Sequence, residues 1–448
     1  MTQKNGSKIA ILGCLMAVIT GLVFLEGCGG SSSTSSTTTP AASNTATVTI
    51  GFGALGPSGG YVNGIWTTVT VCAPNSSTSC QTIDNVLVDT GSAGLRILNS
   101  ALTTVPASSL GGVSADSNGD QLQECTQYGD TSYTWGPIKL ANVELAGETA
   151  SSVPIQVIGG TSAAVPSQCL ATPVNPTLPN GGNYDTLEAL GANGILGVGA
   201  FGFPYDCGSG CTLTSNLTQT GYPYYVCPSG QACSAITTST QVANPIVAFT
   251  SSDNNGVLVT LPSIPATGAA DATVSGSLIF GIGTQADNAL ASTATVYALD
   301  GYGNIPTFTY NGVSYSSPTN YSVLDTGSEA LEFLDASTLA PAGIVECAGY
   351  YCPSSTLAFS VTATGATSTS GTIAFSIMNA DTLFATNNAA FNDLAGDSGT
   401  SPATDFFDFG LPFFFGRTVY VGMQPGVFNG ETSPPSAASS ATYGYYAF

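Results

Sequence analysis

Asp89-Thr90-Gly91-Ser92 recurs 236 residues later as Asp325-Thr326-Gly327-Ser328. Each copy follows a short apolar run, Asn85-Val86-Leu87-Val88 before the first and Tyr321-Ser322-Val323-Leu324 before the second. A strand ending in Asp-Thr-Gly sets a carboxylate on a tight turn, because glycine lets the backbone pass close to another segment. One such tetrapeptide is a common strand-end turn. Two in matched surroundings, a domain's length apart, predict two turns that meet. Their carboxylates would then lie in contact, and two like charges that close cannot both ionise. Such a pair shares one proton and acts as base and acid together.

The internal symmetry extends beyond the turns. Gly91 is followed by Leu95 and Ile97, and Gly327 by Leu331 and Phe333. Each half later carries an apolar strand with glycine, Asn193-Gly194-Ile195-Leu196-Gly197-Val198-Gly199 and then Phe406-Phe407-Asp408-Phe409-Gly410-Leu411-Pro412-Phe413. From Ala46 to about Gly430 the chain is rich in Thr, Val, Ser and Gly, has frequent turn signals and lacks long helical periods, which predicts an all-β fold. Ile65–Cys72 and Gln81–Val88 read as a hairpin, and Leu357–Thr362 as a strand. The Gly197-x-Gly199-x-x-Gly202 spacing matches a dinucleotide-binding turn, but Phe203-Pro204 breaks the helix that motif requires. Asp116-Ser117-Asn118-Gly119-Asp120 reads as a solvated turn, since its downstream spacing does not fit a calcium loop.

The residues the chain lacks are as informative. It has no histidine and five Lys plus Arg against 27 Asp plus Glu, a net charge of −22. That excludes Ser-His-Asp and Cys-His catalysis and any His-ligated metal site, and no metal or other cofactor is expected. Without a basic patch to neutralise phosphate, nucleic acid is excluded as a partner. Residues 1–27 read as an export signal, with Lys4 and Lys8 ahead of the apolar stretch Ile9–Leu25. Leu25-Glu26-Gly27-Cys28 resembles a bacterial lipoprotein signal in which Cys28 is lipidated, although Glu26 departs from the small or apolar residue usual there. Residues 28–45 form a Gly/Ser/Thr tether, and Gly29 after the cysteine suggests the outer membrane, on its periplasmic or cell-surface side. Removing residues 1–27 leaves only Arg96, Lys139 and Arg417 as basic side chains. Leaving out Cys14 and Cys28, ten cysteines remain in an exported chain, which implies disulfides. Spacing invites Cys72–Cys80, Cys207–Cys211, Cys227–Cys233 and Cys347–Cys352, leaving Cys125 and Cys169 to each other, although spacing alone leaves the connectivity open.

With these motifs in order, residues 46–423 resemble the pepsin-like aspartic peptidases. More narrowly, the chain resembles uncharacterised bacterial lipoproteins carrying the same motifs, including Gly410-Leu411-Pro412-Phe413-Phe414-Phe415-Gly416-Arg417. Gly194-Ile195-Leu196-Gly197 is similar to the family's second signature strand, and Gly276-Ser277-Leu278-Ile279-Phe280-Gly281 to the strand joining the lobes. The resemblance implies a bilobal fold of two pseudo-symmetric β lobes with a cleft between them, here 46–265 and 266–430, followed by a loose tail, 431–448. It implies that Asp89 and Asp325 hold a water and cleave peptides. Thr90 and Thr326 would cross-bond beneath them, Gly91 and Gly327 form the turns, and Ser92 and Ser328 donate to the outer carboxylate oxygens. Gln127-Tyr128-Gly129-Asp130 resembles the flap, with Tyr128 at its tip and Gly129 beside it. The family commonly has Trp where this chain has Arg96, so Arg96 either enters the cleft, against Tyr128 or substrate, or pairs with its counterpart Glu332. The implied function is an exported, membrane-anchored monomeric endopeptidase acting at acid pH on extended peptides or proteins. The alternative is a catalytically silent surface protein that binds a peptide or another polymer in the same cleft.

Overall fold

The computed structural model describes residues 44–448 except 60, 171–181, 203–222, 237, 318, 321, 340–342, 398–405, 426, 429–430 and 433–441. The export signal, Cys28, most of the tether and the Cys207–Cys211 pair lie outside the described residues.

Strand formation follows the side-chain alternation. In Thr45–Gly51 Ala46, Val48 and Ile50 are buried while Thr47 faces solvent, the period-two pattern of a half-buried strand. This strand pairs with Val274–Phe280, which pairs with Gly256–Thr260 and then, in order, Thr418–Gly422, Tyr445–Ala447 and Val296–Ala298, all antiparallel. Segments from the start, middle and end of the chain therefore form one platform. The end of the expected loose tail is an ordered strand. Tyr445, Tyr446 and Ala447 are buried because this strand fills the sheet between residues 418–422 and 296–298.

On this platform stand two copies of one motif. In the first, Cys80–Asp89 leads into the Asp turn and Ala93–Leu98 leaves it. Gly194–Val198 runs between them, parallel to the first and antiparallel to the second. In the second copy Ser322–Leu324 and Leu331–Phe333 flank the turn, and Phe407–Phe409 runs between them with the same two senses. The middle strands pass so close to the turns that only glycine fits: a Cβ on Gly197 would lie 2.7 Å from Ala93 N, and one on Gly410 2.2 Å from Ala330 O. Gly197 thus serves strand packing and not a nucleotide turn. Gly64–Cys72 and Cys80–Asp89 form the expected hairpin, with Cys72 opposite Cys80.

The two halves fill their interiors differently. The first is aliphatic around Val86, Val88, Leu95, Ile97 and Leu196, whereas the second is an aromatic stack that includes Phe308, Phe333, Phe375, Phe407 and Phe409. Phe333 and Phe375 meet edge to face at 4.9 Å, and Phe308 and Phe407 stack at 5.0 Å. The architecture is all-β, as the sequence predicts, with the two copies of the Asp-turn motif in matched strand arrangements.

Candidate active site

The two Asp turns meet through a reciprocal hydrogen-bond set. Thr90 Oγ1 donates to Leu324 O (2.7 Å) and accepts from Thr326 N (3.0 Å). Thr326 Oγ1 donates to Val88 O (2.6 Å) and accepts from Thr90 N (3.1 Å). All four polar groups are buried and satisfied, so the register between the halves is fixed at this point.

The carboxylates sit directly above. Gly91 N–H donates to Asp89 Oδ1 (2.8 Å) and also reaches Asp325 Oδ1 (3.2 Å). Asp325 also accepts from Gly327 N (2.7 Å). A Cβ on Gly91 would lie 2.5 Å from Asp325 Cγ, and one on Gly327 3.0 Å from Asp89 Cγ. Each carboxyl therefore occupies the space a larger residue would take on the opposite turn. Ser92 N (3.2 Å) and the Ser92 hydroxyl donate to Asp89. Burial, the Asp89 charge and the Asp408 charge push the Asp325 carboxyl well above the usual aspartate range. Asp89 is itself buried, 7% exposed.

The strands Gln121–Gln127 and Ser132–Leu145 form a hairpin. Its turn runs from Tyr128 to Thr131, closed by Thr131 N to Tyr128 O (3.0 Å). Gly129 and Asp130 form the exposed tip, so Tyr128 is the first turn residue and not the tip itself. The Tyr128 ring lies 6.0 Å from that of Tyr184. Burial pushes its hydroxyl up to about 12, with Asp89 among the charges it senses. The hairpin is well braced: Tyr224–Cys227 pairs with Gln121–Gln127, Ser234–Ala235 pairs with that strand in turn, and two disulfides lie at its flank.

Arg96 pairs with Glu124 and not with Glu332, and its charge is felt at Tyr128. It is fully buried and forms an ion pair with Glu124 (Nη2 to Oε1, 3.1 Å), while Nε donates to Thr126 Oγ1 and Nη1 to Ala93 O (both 3.1 Å). Glu124 and Thr126 belong to the first hairpin strand, so Arg96 ties the strand that leaves the Asp turn to this hairpin. Burial pushes the Glu124 carboxyl up, against the pull of Arg96. The counterpart Glu332 has no cation partner among the described residues: burial, then Asp130 and Asp397, raise it to about 7.

Sequence reading also missed several residues around the pair. Tyr61 donates to Gly327 O (2.9 Å), and Val62 N (2.7 Å) to Glu329 Oε1, clamping the first half onto the second turn. Burial raises Glu329 to about 7 despite that N–H. Asp408, 9% exposed, accepts from the Ser328 hydroxyl (2.7 Å). Its signal was an acid alone within the Phe406–Phe413 run. Of the five expected cysteine pairings, the four within the described residues are disulfides, Cys72–Cys80, Cys125–Cys169, Cys227–Cys233 and Cys347–Cys352. They are the mark of a chain folded in an oxidising compartment.

The family model whose description is "Protein of unknown function (DUF3443)" matches residues 40–438. The chain belongs to the DUF3443 family. The match covers both Asp turns, the flap hairpin and Asp408, so these lie in the family's own region. No curated protein matches the chain. Among solved structures, the aspartic proteinase from Irpex lacteus is similar at 17% identity and a TM-score of 0.44, over 88% of this chain and 99% of that one. At that level the likeness carries no weight, and the architecture rests on this chain's own strand pairing. No helix among the described residues is long and apolar enough to cross a membrane.

Proposed function

We propose that this DUF3443 chain is an exported aspartic endopeptidase that cuts extended peptides at acid pH. The observation that carries the reading is the Gly91 N–H shared by both carboxylates above the threonine cross-bonds. That arrangement suits a water held between the two groups. The ionised carboxyl takes a proton from the water as its oxygen attacks the scissile carbonyl carbon. The protonated carboxyl gives its proton to the carbonyl oxygen, forming a tetrahedral diol. In the second step the newly protonated carboxyl gives its proton to the amide nitrogen and the C–N bond breaks. The other carboxyl recovers a proton from a diol hydroxyl, which restores the starting pair.

The hairpin carrying Tyr128, whose hydroxyl senses the Asp89 charge, would act as a flap that excludes water once a peptide is bound. An extended peptide is the expected substrate because its backbone groups are free to pair with a β hairpin. Both carboxylates come from one chain, so a monomer suffices. Export follows from residues 1–27, and anchoring to the outer membrane from lipidation at Cys28. Acid pH is favoured because Glu329 and Glu332 are neutral there, which lowers repulsion in a site lacking a facing cation.

The test is cleavage of an unfolded protein by the purified chain between about pH 2 and 6, the range over which such a pair holds one proton. Asp89→Asn and Asp325→Asn are each expected to lose on the order of a thousandfold or more, the loss of general acid–base catalysis. Cleavage that survives Asp89→Asn would contradict the reading. No cleavage by the wild-type chain would leave the peptide-binding alternative, tested by peptide affinity at the same site.

A further inference from the structure

Ser92 and Ser328 hold equivalent positions, but their hydroxyls do different work. Ser92 Oγ donates to Asp89 Oδ2. Ser328 Oγ lies 3.1 Å from Asp325 Oδ2 and 2.7 Å from Asp408 Oδ2. A hydroxyl has one proton to donate. With both carboxyls ionised, one of these contacts would press lone pair against lone pair in a buried site. Both contacts are hydrogen bonds only if one carboxyl is protonated. Either Asp325 donates to Ser328 and Ser328 to Asp408, or the order is reversed. The proton can thus rest at either end of the chain Asp325–Ser328–Asp408 without any heavy atom moving.

Asp408 is not imposed by the fold. By strand register it stands opposite Glu332, whereas the matching pair in the first half is Ile195 opposite Arg96. Its second oxygen, Oδ1, has no hydrogen-bond partner among the described residues. The groups facing it are Glu332 on the adjacent strand, Asp325 at the turn, Asp89 from the other half and Tyr446 on the last strand. Glu332 in turn faces Asp130 and Asp397. None of these is a cation.

We propose that Asp408 is a positioning residue that joins the Asp89–Asp325 pair through the Ser328 hydroxyl and keeps the shared proton in the site to a higher pH than two carboxyls alone would. This rests on the endopeptidase reading. Burial of Asp408, with the nearby Glu332 charge, acts in the same direction.

The test is the pH profile of kcat/KM for the wild type, Asp408→Asn, Asp408→Glu and Asp408→Ile, the last restoring the apolar residue of the first half. In Asp408→Asn the amide donates to Ser328, the hydroxyl proton turns to Asp325, and Asp325 ionises more readily. The alkaline limb is expected to fall by about one pH unit, a tenfold loss of proton affinity. Asp408→Ile should move it the same way, and Asp408→Glu should restore it. A uniform loss at every pH, with limbs unmoved in both neutral variants, overturns the proposal. Wild-type cleavage that depends on Asp89 tests the endopeptidase reading separately. If the wild type does not cleave, that reading fails, and the inference is decided by carbon-detected NMR titration of the Asp325 carboxyl. A lower midpoint in Asp408→Asn supports it and an equal midpoint overturns it.

Discussion

The two Asp turns share a backbone and a hydrogen-bond grip but differ in what lies behind them. Behind the first, Arg96 is fully buried and its charge is matched by Glu124. Behind the second, Glu332 stands at the position of Arg96 and Asp408 at that of Ile195, and burial raises both acids. The same scaffold therefore serves two ends. On the first side a buried ion pair ties the turn to the 121–145 hairpin, a role in positioning. On the second side uncompensated acids favour protonation, a role in holding protons. The matched turns set the geometry of the pair, and the differing residues around them make its two members unequal.

The largest test of this contrast is charge removal on each side. Arg96→Leu leaves Glu124 buried without its cation and should cost about 3–5 kcal/mol in chemical unfolding. Adding Glu124→Leu should recover most of that. Glu332→Leu removes a carboxyl with acidic neighbours and should be neutral or stabilising at pH 7. If Arg96→Leu and Glu332→Leu shift stability the same way by similar amounts, the contrast is wrong.

A smaller effect is the pH slope. Glu329 and Glu332 move from the ordinary range near 4.5 to about 7 on folding. The folded chain therefore binds more protons than the unfolded one between those values. Their stabilising contribution is complete below about pH 4.5 and is lost as pH rises through about 7. Unfolding midpoints in urea should fall between pH 5 and 8 by the equivalent of a few kcal/mol, at about 1.4 kcal/mol per unit shift before solvent screening. Glu329→Gln with Glu332→Gln should flatten that slope. A midpoint that rises with pH would contradict the assignment.

The smallest difference concerns the turn glycines. Gly91→Ala places a methyl 2.5 Å from Asp325 Cγ, against 3.0 Å from Asp89 Cγ for Gly327→Ala. Both should lower cleavage, and Gly91→Ala by roughly tenfold more, since sub-ångström displacement of reacting groups is felt strongly. Equal losses would mean that the second turn yields as little as the first.

The sequence made the pair legible because both turns are local motifs and each carries its own glycine and threonine. The strand pattern was legible for the same reason: Val and Thr alternate along Thr45–Gly51, and the glycines of the middle strands stand where backbones cross. What stayed hidden depends on strand register across the fold. Arg96 and Glu124 are 28 residues apart and meet because the flap strand crosses the Asp turn. Glu332 and Asp408 meet only once Phe407–Phe409 pairs with Leu331–Phe333. The final strand escaped notice because Ser433–Ser440 reads as loose, although Tyr445, Tyr446 and Ala447 behind it are apolar enough to fill an open sheet position.

The most direct test of the account is the titration of the Asp325 carboxyl in the folded chain, wild type against Asp89→Asn. Burial, Asp89 and Asp408 are argued to keep Asp325 protonated well above the usual range. Replacing Asp89 by a neutral amide removes one of those causes and leaves the burial. The account predicts a clear fall in the Asp325 midpoint, still short of the free aspartate value of about 3.9. A midpoint unchanged by Asp89→Asn would show that the two carboxyls do not share a proton, and would contradict the account.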